Sequence, residues 1–470
     1  MSIFTLPDLA LFANSNDAMF PEQWAQESLA ILEENMVMPF LVHTDFSDQV
    51  ANEGDIVNTR RPAEFVTKRK VDGDTVVAQN ANTTNVQIPL DQHVYVTYVI
   101  HDGEFSKSFQ DLINTFIRPA SMQIARSVDR ILCGQAPQFL GNAVGRLEEM
   151  TSSNAKDFLI AADQKLSENK AYMEGRALVL SPASRADLLG TELFVAANQR
   201  GDGGLALEQA RLGQLYSFMT FMDQNVNFRT RTAAETASGN HNTGAAAGAT
   251  GNIAMVVGSY VSVVGEYIWI ESEGQAHEIS ATTNAAGDTT GITLVNPYVN
   301  TVAAGSDILV YKSNDVNGTY ALGYSKSILL DGIASGKQPV VGQILSFGTT
   351  NGSDRHTYTI IETTADTATS VYVWLDRPLE AALANNDLAF PGPAGSFNLA
   401  FHRDAIALVS RPLALPASST GVQAGLAIYN GVGMRLTMQY DSSIQGTRVT
   451  HDILCGTEVL DTNLGCVLLG

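Results

Sequence analysis

The chain has 470 residues, with 49 acidic against 28 basic side chains and a formal charge of −21. That length exceeds one domain at the usual scale of roughly 100–200 residues and is enough to bury a large core. So acidic a balance argues against a dedicated binder of nucleic-acid phosphates, which needs clustered Lys and Arg.

The first seventeen residues, MSIFTLPDLALFANSND, lack the basic start and apolar core of a signal peptide, so synthesis and residence in a cytoplasm are expected. Residues 20–37 predict a helix, with Trp24, Leu29, Ile31, Leu32 and Met36 on or near one face and Pro39 ending it. Asp55–Thr59 and Val86–Leu90 predict two strands, the second alternating Val86, Ile88 and Leu90. With Asp72-Gly73-Asp74 at a turn between them, they read as a long two-stranded arm with a loop at its tip. His93–Ile100 predicts a further strand, apolar on both faces. Phe105–Cys133 carries the longest helical signal, with apolar residues from Phe105 to Leu132 at three- and four-residue steps and Pro119 expected to kink it. A shorter helix is expected after Asn154 as N-cap, turning Phe158, Ala161, Ala162 and Leu166 inward.

Residues 176–226 are the most informative stretch. Ala177–Leu180 predicts a buried strand, and Ser181-Pro182 then opens a helix. A serine hydroxyl at the N-cap accepts an orphan backbone N–H, and proline suits the first helical position. A Gly-broken loop and a second apolar run lead to Asp223-Gln224-Asn225-Val226. Residues 230–251, rich in Thr, Ala, Gly and Asn, read as a linker or loop.

From 252 to about 393 the pattern is β-rich and contains an internal repeat. Val263-Val264-Gly265 returns as Val340-Val341-Gly342, Leu294-Val295-Asn296-Pro297 as Leu375-Asp376-Arg377-Pro378, and Asp307-Ile308-Leu309 as Asp387-Leu388-Ala389. The offsets of 77, 81 and 80 residues point to a duplicated small β unit. Its Gly/Ala/Thr lead-in at 237–251 predicts a tethered module with its own small core. After Gly395 further strands follow at 397–409, at Met434–Tyr440, at Arg448–Leu454 and at Val467–Leu469.

No catalytic or cofactor constellation emerges. The eight histidines form no HxH or HExxH spacing, no G-x-S-x-G elbow is present, and Gly431-Val432-Gly433 lacks the third glycine of a dinucleotide loop. Cys133, Cys455 and Cys466 have neither metal-ligand spacing nor an even framework, and are expected as buried free thiols. No run reaches the roughly 18 apolar residues of a membrane span.

Taken in order, Arg176–Val226, the preceding arm and long helix, Phe401–Leu413 and Asp452–Gly456 resemble the tailed-phage major capsid proteins of the Hong-Kong-97-type fold, in the subgroup with an inserted β domain. One departure is Ala210-Arg211, where relatives often have Glu-Gly before the Leu-Gly step. The resemblance implies an α+β phage capsid fold. Its parts would be an N-terminal arm and helix (1–50), an extended loop with peripheral strands (51–100), a spine helix and peripheral domain (101–170), a central domain (171–229 and 395–470) and an inserted β domain (230–394). It implies a structural virion protein and no enzyme or cofactor. Copies would form pentamers and hexamers of an icosahedral shell made in a host bacterial cytoplasm. A scaffolding protein, a portal, a decoration protein and weakly held packaged DNA would be its partners, and no membrane.

Within that frame, Arg60, Arg61, Lys68, Arg69 and Lys70 form the densest basic group of the chain. They are either a solvated hairpin tip or a contact with acids on an adjacent subunit, with Glu104, Asp111 and Asp129 as candidate partners. A secreted or tail-associated β-rich adhesion protein is the alternative that the repeat and the Thr/Gly texture leave open; a hydrolase finds no site.

Overall fold

A computed structural model gives the structure of the chain. Residues 1–24, 27, 30–35, 45–55, 61–66, 73–74, 77, 80–84, 103–115, 146, 148–149, 192–211, 230–235, 242–243, 250–252, 258–260, 271–274, 286–287, 299, 349–355, 393–394, 417–421 and 430–431 lie outside the described residues. The rest is a mixed α+β structure dominated by strands. Of the helix expected over 20–37, the described residues Ala25, Gln26, Ser28 and Leu29 are helical.

Strands β1 (Ile56–Arg60) and β2 (Asn85–Pro89) pair antiparallel, with Val57 opposite Ile88. Those two side chains are buried against Ala407 and Val409, which fixes the base of the arm. A Cβ on Gly456 would run into the Pro89 carbonyl oxygen, so only glycine lets β2 cross there. Strand β3 (Gln92–His101) alternates between exposed and more buried side chains, contrary to the expectation of two apolar faces. Val94, Val96 and Tyr98 pack on the core, while His93, Tyr95 and Thr97 face outward.

Helix α1 spans Arg118–Cys133 and buries Ile124, Ala125, Val128, Ile131 and Leu132. Pro119 lies in the first turn of this α-helical segment, directly after Phe116 and Ile117; the chain on the far side of the expected kink lies outside the described residues. The part of the expected helix over 105–115 lies outside the described residues, and Phe116 and Ile117 are π-helical. Strand β4 (Ala143–Val144) and helix α2 (Ala155–Glu168) follow. Asn154 precedes α2 without capping it: its backbone is already in the αR region, and its Oδ1 accepts the Thr151 N–H at 2.7 Å. Phe158, Ala162 and Leu166 are buried as expected, and Ala161 is half-buried.

All five residues of β5 (Arg176–Leu180) are buried. Ser181 Oγ accepts the Ser184 N–H at 3.2 Å, and Pro182 opens α3 (Pro182–Gly190), as its sequence predicts. Next come β6 (Gln214–Leu215), β7 (Phe218–Met222) and β8 (Phe228–Arg229).

The chain then builds two closed six-stranded barrels. The first uses β9 (Thr236–His241), β10 (Ile253–Val257), β11 (Tyr267–Ile270), β12 (Gln275–Ala285), β13 (Asp288–Leu294) and β14 (Asp307–Tyr311). The second uses β15 (Asn314–Asn317), β16 (Ile328–Asp331), β17 (Ile344–Gly348), β18 (His356–Thr367), β19 (Ser370–Leu375) and β20 (Leu388–Phe390). The stretch read as a linker therefore contains a barrel strand. Small side chains gave β9 no periodic signal, and its conformation is set by backbone pairing with β10 and β14.

Around each barrel the strands follow the same circuit: first, second, fifth, fourth, third, sixth. The irregular hydrogen bonds repeat as well. Gly265 N–H donates to Ile279 O as Gly342 N–H does to Ile360 O, at 2.8 and 2.7 Å, and both glycines have φ near +90° (93° and 86°), a region costly for other residues. Ala245 and Val302 exchange two backbone bonds, as do Tyr320 and Leu383. Ser306 N–H donates to Ala303 O as Asp387 N–H does to Ala384 O. That last pair corrects the sequence register by one residue: Asp387 matches Ser306, not Asp307.

After the barrels, β21 (Gly395–His402) returns to the sheet of β5, with Leu399 opposite Val179. It is followed by β22 (Ile406–Arg411), β23 (Gln423–Tyr429), β24 (Val432–Asp441), β25 (Gly446–Val459) and β26 (Gly465–Leu469). One sheet runs β4-β26-β21-β5-β7-β6, with β8 also on β21. The other runs β22-β25-β24-β23, with β3 also on β25. Residues 406–459 thus lie in a different sheet from β5 and β7. Residues 446–455 of β25 pair with β3 of the 51–100 segment. Helix α1 lies in the main core with residues of both sheets.

Candidate assembly surface

At the arm, the described residues between 67 and 79 have no regular structure, and all are exposed. They include Lys68, Arg69 and Lys70, and also Val71 at 73% and Val76 at 82% exposure. Arg60 ends β1 opposite Asn85. Arg61, and the candidate partners Glu104 and Asp111, lie outside the described residues.

Asp129 is corrected by the structure. It is fully buried, and its carboxylate accepts the backbone N–H groups of Val37 (3.3 Å to Oδ2) and Met38 (3.2 Å to Oδ1). It therefore offers no acidic surface to another copy. It ties the segment before the 3₁₀ turn Met38–Phe40 onto α1 instead. Burial, reinforced by the nearby Asp223 carboxylate, pushes its carboxyl well above the usual range. Burial likewise raises Asp223, whose Oδ1 accepts the Asn225 N–H at 2.8 Å. The fully buried Cys133 thiol, 4.0 Å from Asp223 Oδ2, is also pushed well up by burial. The three cysteines are buried free thiols, as their spacing predicts.

Two further positions were not singled out by the sequence. Arg176 is 1% exposed and donates to Ala171 O and Tyr172 O, to Asp163 Oδ1 at 2.7 Å, and to the Ser167 and Ser217 hydroxyls. It joins α2, the loop into β5 and the β6–β7 turn. An arginine at the head of an apolar strand, thirteen residues after an aspartate on the preceding helix, was the available signal.

Arg229, 6% exposed, marks the chain's departure into the barrels. Its guanidinium donates to Ser346 Oγ at 3.0 Å and lies 5.8 Å from the Tyr267 ring centre and 5.6 Å from that of Phe397. One side chain thus meets the first barrel, the second barrel and β21.

The second barrel is not a tethered module. Ile344 belongs to the main core, and Ile361 packs against it. Asn227 Nδ2 donates to Thr359 Oγ1 at 2.9 Å, and Gln92 Nε2 to Asp376 O at 3.1 Å. Asp376 is itself buried, accepts the Thr359 N–H at 2.8 Å and pairs with Arg377 at 2.8 Å. Burial outweighs that cation and pushes its carboxyl up to about 6. Each barrel also has a core of its own, the second around Val316, Ile328, Leu345 and Ile360 and the first around Ile268, Ile279, Ile292 and Ile308, but no residue of the first is in the main core cluster.

Among the described residues, no group of three or more His, Cys, Asp or Glu could hold a metal ion. No described helix is long and apolar enough to cross a membrane.

No family model matches the sequence, and no curated protein sequence does. Among solved structures the chain is similar to one from Mycobacterium phage Che8, at 12% identity and a TM-score of 0.43, over 92% of this chain and 90% of that one. It is similar to the capsid structure of the cyanophage P-SCSP1u at 9% identity and a TM-score of 0.41, over 89% and 84%. It is also similar to the asymmetric unit of the bacteriophage PhiM1 mature capsid, at 10% identity and a TM-score of 0.38, over 88% and 82%.

Proposed function

We propose that this chain is the major subunit of an icosahedral capsid of the tailed-phage type, built by self-assembly. The observation that carries the reading is the arm. Its base is clamped by Val57 and Ile88 on Ala407 and Val409, while its described residues between 67 and 79 are all exposed, Val71 and Val76 among them beside three cations. Ordering such a segment costs backbone entropy that burial within the chain does not offset. A neighbouring copy covering Val71 and Val76 and facing Lys68, Arg69 and Lys70 with acids would offset it. Glu104 and Asp111 remain the candidate partners, since they precede α1, and Asp129 drops out. Charge pairs of this kind set register more than affinity.

On this reading 51–100 is the extended loop and 101–170 the peripheral region with α1. The sheet of β5, β7, β21 and β26 is the central domain, and 230–394 is an insertion into it. The matched circuits and hydrogen bonds of the two barrels support an origin of that insertion by duplication. Pentamers and hexamers of the chain, a scaffolding protein, a portal and weakly bound DNA follow as partners, with the virion as its place.

Negative-stain imaging of the expressed protein, with and without the neighbouring genes, tests this. Shells, tubes or capsomers are expected. Replacing Lys68, Arg69 and Lys70 by Glu should abolish them while leaving the monomer folded by circular dichroism. A persistent monomer in both expressions sinks the proposal, and normal particles from the variant sink the role of the cations.

A further inference from the structure

The two barrels share one hydrogen-bond framework but fill it with different chemistry. His241 exchanges backbone bonds with Ser306 and Gly305 as Val316 does with Asp387 and Asn386. His277 lies opposite Ile268 as Tyr358 lies opposite Leu345. Tyr298 O accepts from Gly248 as Leu379 O accepts from Gly323. The first barrel thus has His, His and Tyr where the second has Val, Tyr and Leu. His241, His277 and Tyr298 are 0%, 1% and 2% exposed, and the Tyr298 ring centre lies 6.0 Å from that of His241 and 5.3 Å from that of His277.

His241 has no room for a second proton. Its Nδ1 accepts the Gly244 N–H at 3.0 Å, so the ring proton belongs on Nε2. Nε2 is buried and meets no hydrogen-bond partner among the described residues. A second proton would have to sit on Nδ1, facing the Gly244 donor. Among the described residues, the titratable groups packed around the ring are His277 from β12 and Tyr298 from the loop after β13. On β14, Asp307 stands opposite the neighbouring Asn240 and is exposed; β10 sets Met255 opposite His241. Burial holds the imidazole below its ordinary value, and among the described residues no carboxylate offsets it.

We propose that the first barrel is an acid-responsive element: proton uptake at His241 Nδ1 breaks the bond to Gly244 and opens this barrel, while the second, built on the same framework, stays closed. The proposal concerns the insertion alone and does not depend on shell formation.

Hydrogen exchange read by mass spectrometry on the full chain at about pH 7 and about pH 5, corrected for intrinsic rates, tests it. A histidine of ordinary value about 6.5 that stays neutral in the closed barrel favours opening by up to roughly 25-fold over that interval. Exchange across 236–311 should rise towards that factor while 314–390 changes little. His241→Val, which installs the second barrel's residue, should remove the response, and Val316→His should confer one on the second barrel. Equal protection of the first barrel at both pH values in the wild-type chain overturns the proposal. So does an equal acid response of the two wild-type barrels, or an undiminished response in His241→Val.

Discussion

Arg229 reaches Ser346 Oγ at 3.0 Å across the boundary between β8 and the second barrel, and the two are 6% and 5% exposed. A buried guanidinium in this position holds two bodies together through a directional bond and cation–π attraction to two rings. Arg229→Ala should lower the unfolding free energy by about 2–4 kcal/mol, since Ser346 loses a partner and a large side chain leaves a void. Equilibrium denaturation checks this; a loss below about 0.5 kcal/mol, the scale of a surface change, refutes it.

Arg176 should be still less replaceable. Arg176 satisfies two backbone carbonyls, and each buried polar group left unpaired costs about 1–3 kcal/mol. Arg176→Lys should recover only part of that loss, because an ammonium cannot span the fork of acceptors. Thermal unfolding of Arg176→Ala, Arg176→Lys and the unchanged chain ranks them, and equal melting temperatures for Lys and Arg would contradict the geometry.

Asp129 gives the fold a pH dependence of definite sign. In the unfolded chain its carboxyl ionises near pH 4; in the fold it keeps its proton to higher pH. The folded state therefore binds more protons above about pH 4, and stability falls as pH rises through that window. Asp129→Asn retains an oxygen for Val37 and Met38. It should match the wild type near pH 4 and then gain on it by up to about 1.4 kcal/mol per pH unit. Parallel stability-versus-pH curves for the two proteins would exclude this.

Excision should separate the two barrels. Ile344 sits in the main core, so deleting 314–390 takes it away, uncovers the core side chains it packs on, and should give an aggregating chain. Deleting 236–311 removes a separate core and should be milder, with loss of the Tyr267 face of Arg229 as the main cost. Soluble yield and far-ultraviolet circular dichroism compare them. A soluble, folded product from the 314–390 deletion would show that the second barrel does not brace the subunit.

Local chemistry was legible where it decides local structure. Ser181 and Pro182 announced α3, the alternation of Val86 and Ile88 announced β2, and the repeated Val-Val-Gly marked Gly265 and Gly342, whose positive φ the turn requires. Asp129 was misread although a signal existed: it stands four residues from Ala125 and four from Cys133, both on the buried stripe. Its charge suggested a surface, but its spacing placed it inside. Strand β9 and the pairing of β3 with β25 were not legible. In both cases the partner backbone, distant in sequence, makes the strand.

The β3–β25 pairing also sets a timetable for folding. His101 meets Gly446 and Gln92 meets Cys455, so β3 leaves the ribosome roughly 350 residues before the strand that covers its edge. At about 5–20 residues per second, that edge stays open for roughly 20–70 s. The half-made chain carries a ten-residue sticky edge through this interval, which makes nascent chains on one messenger the setting where mispairing between copies is most exposed and where a holding chaperone has the most to do.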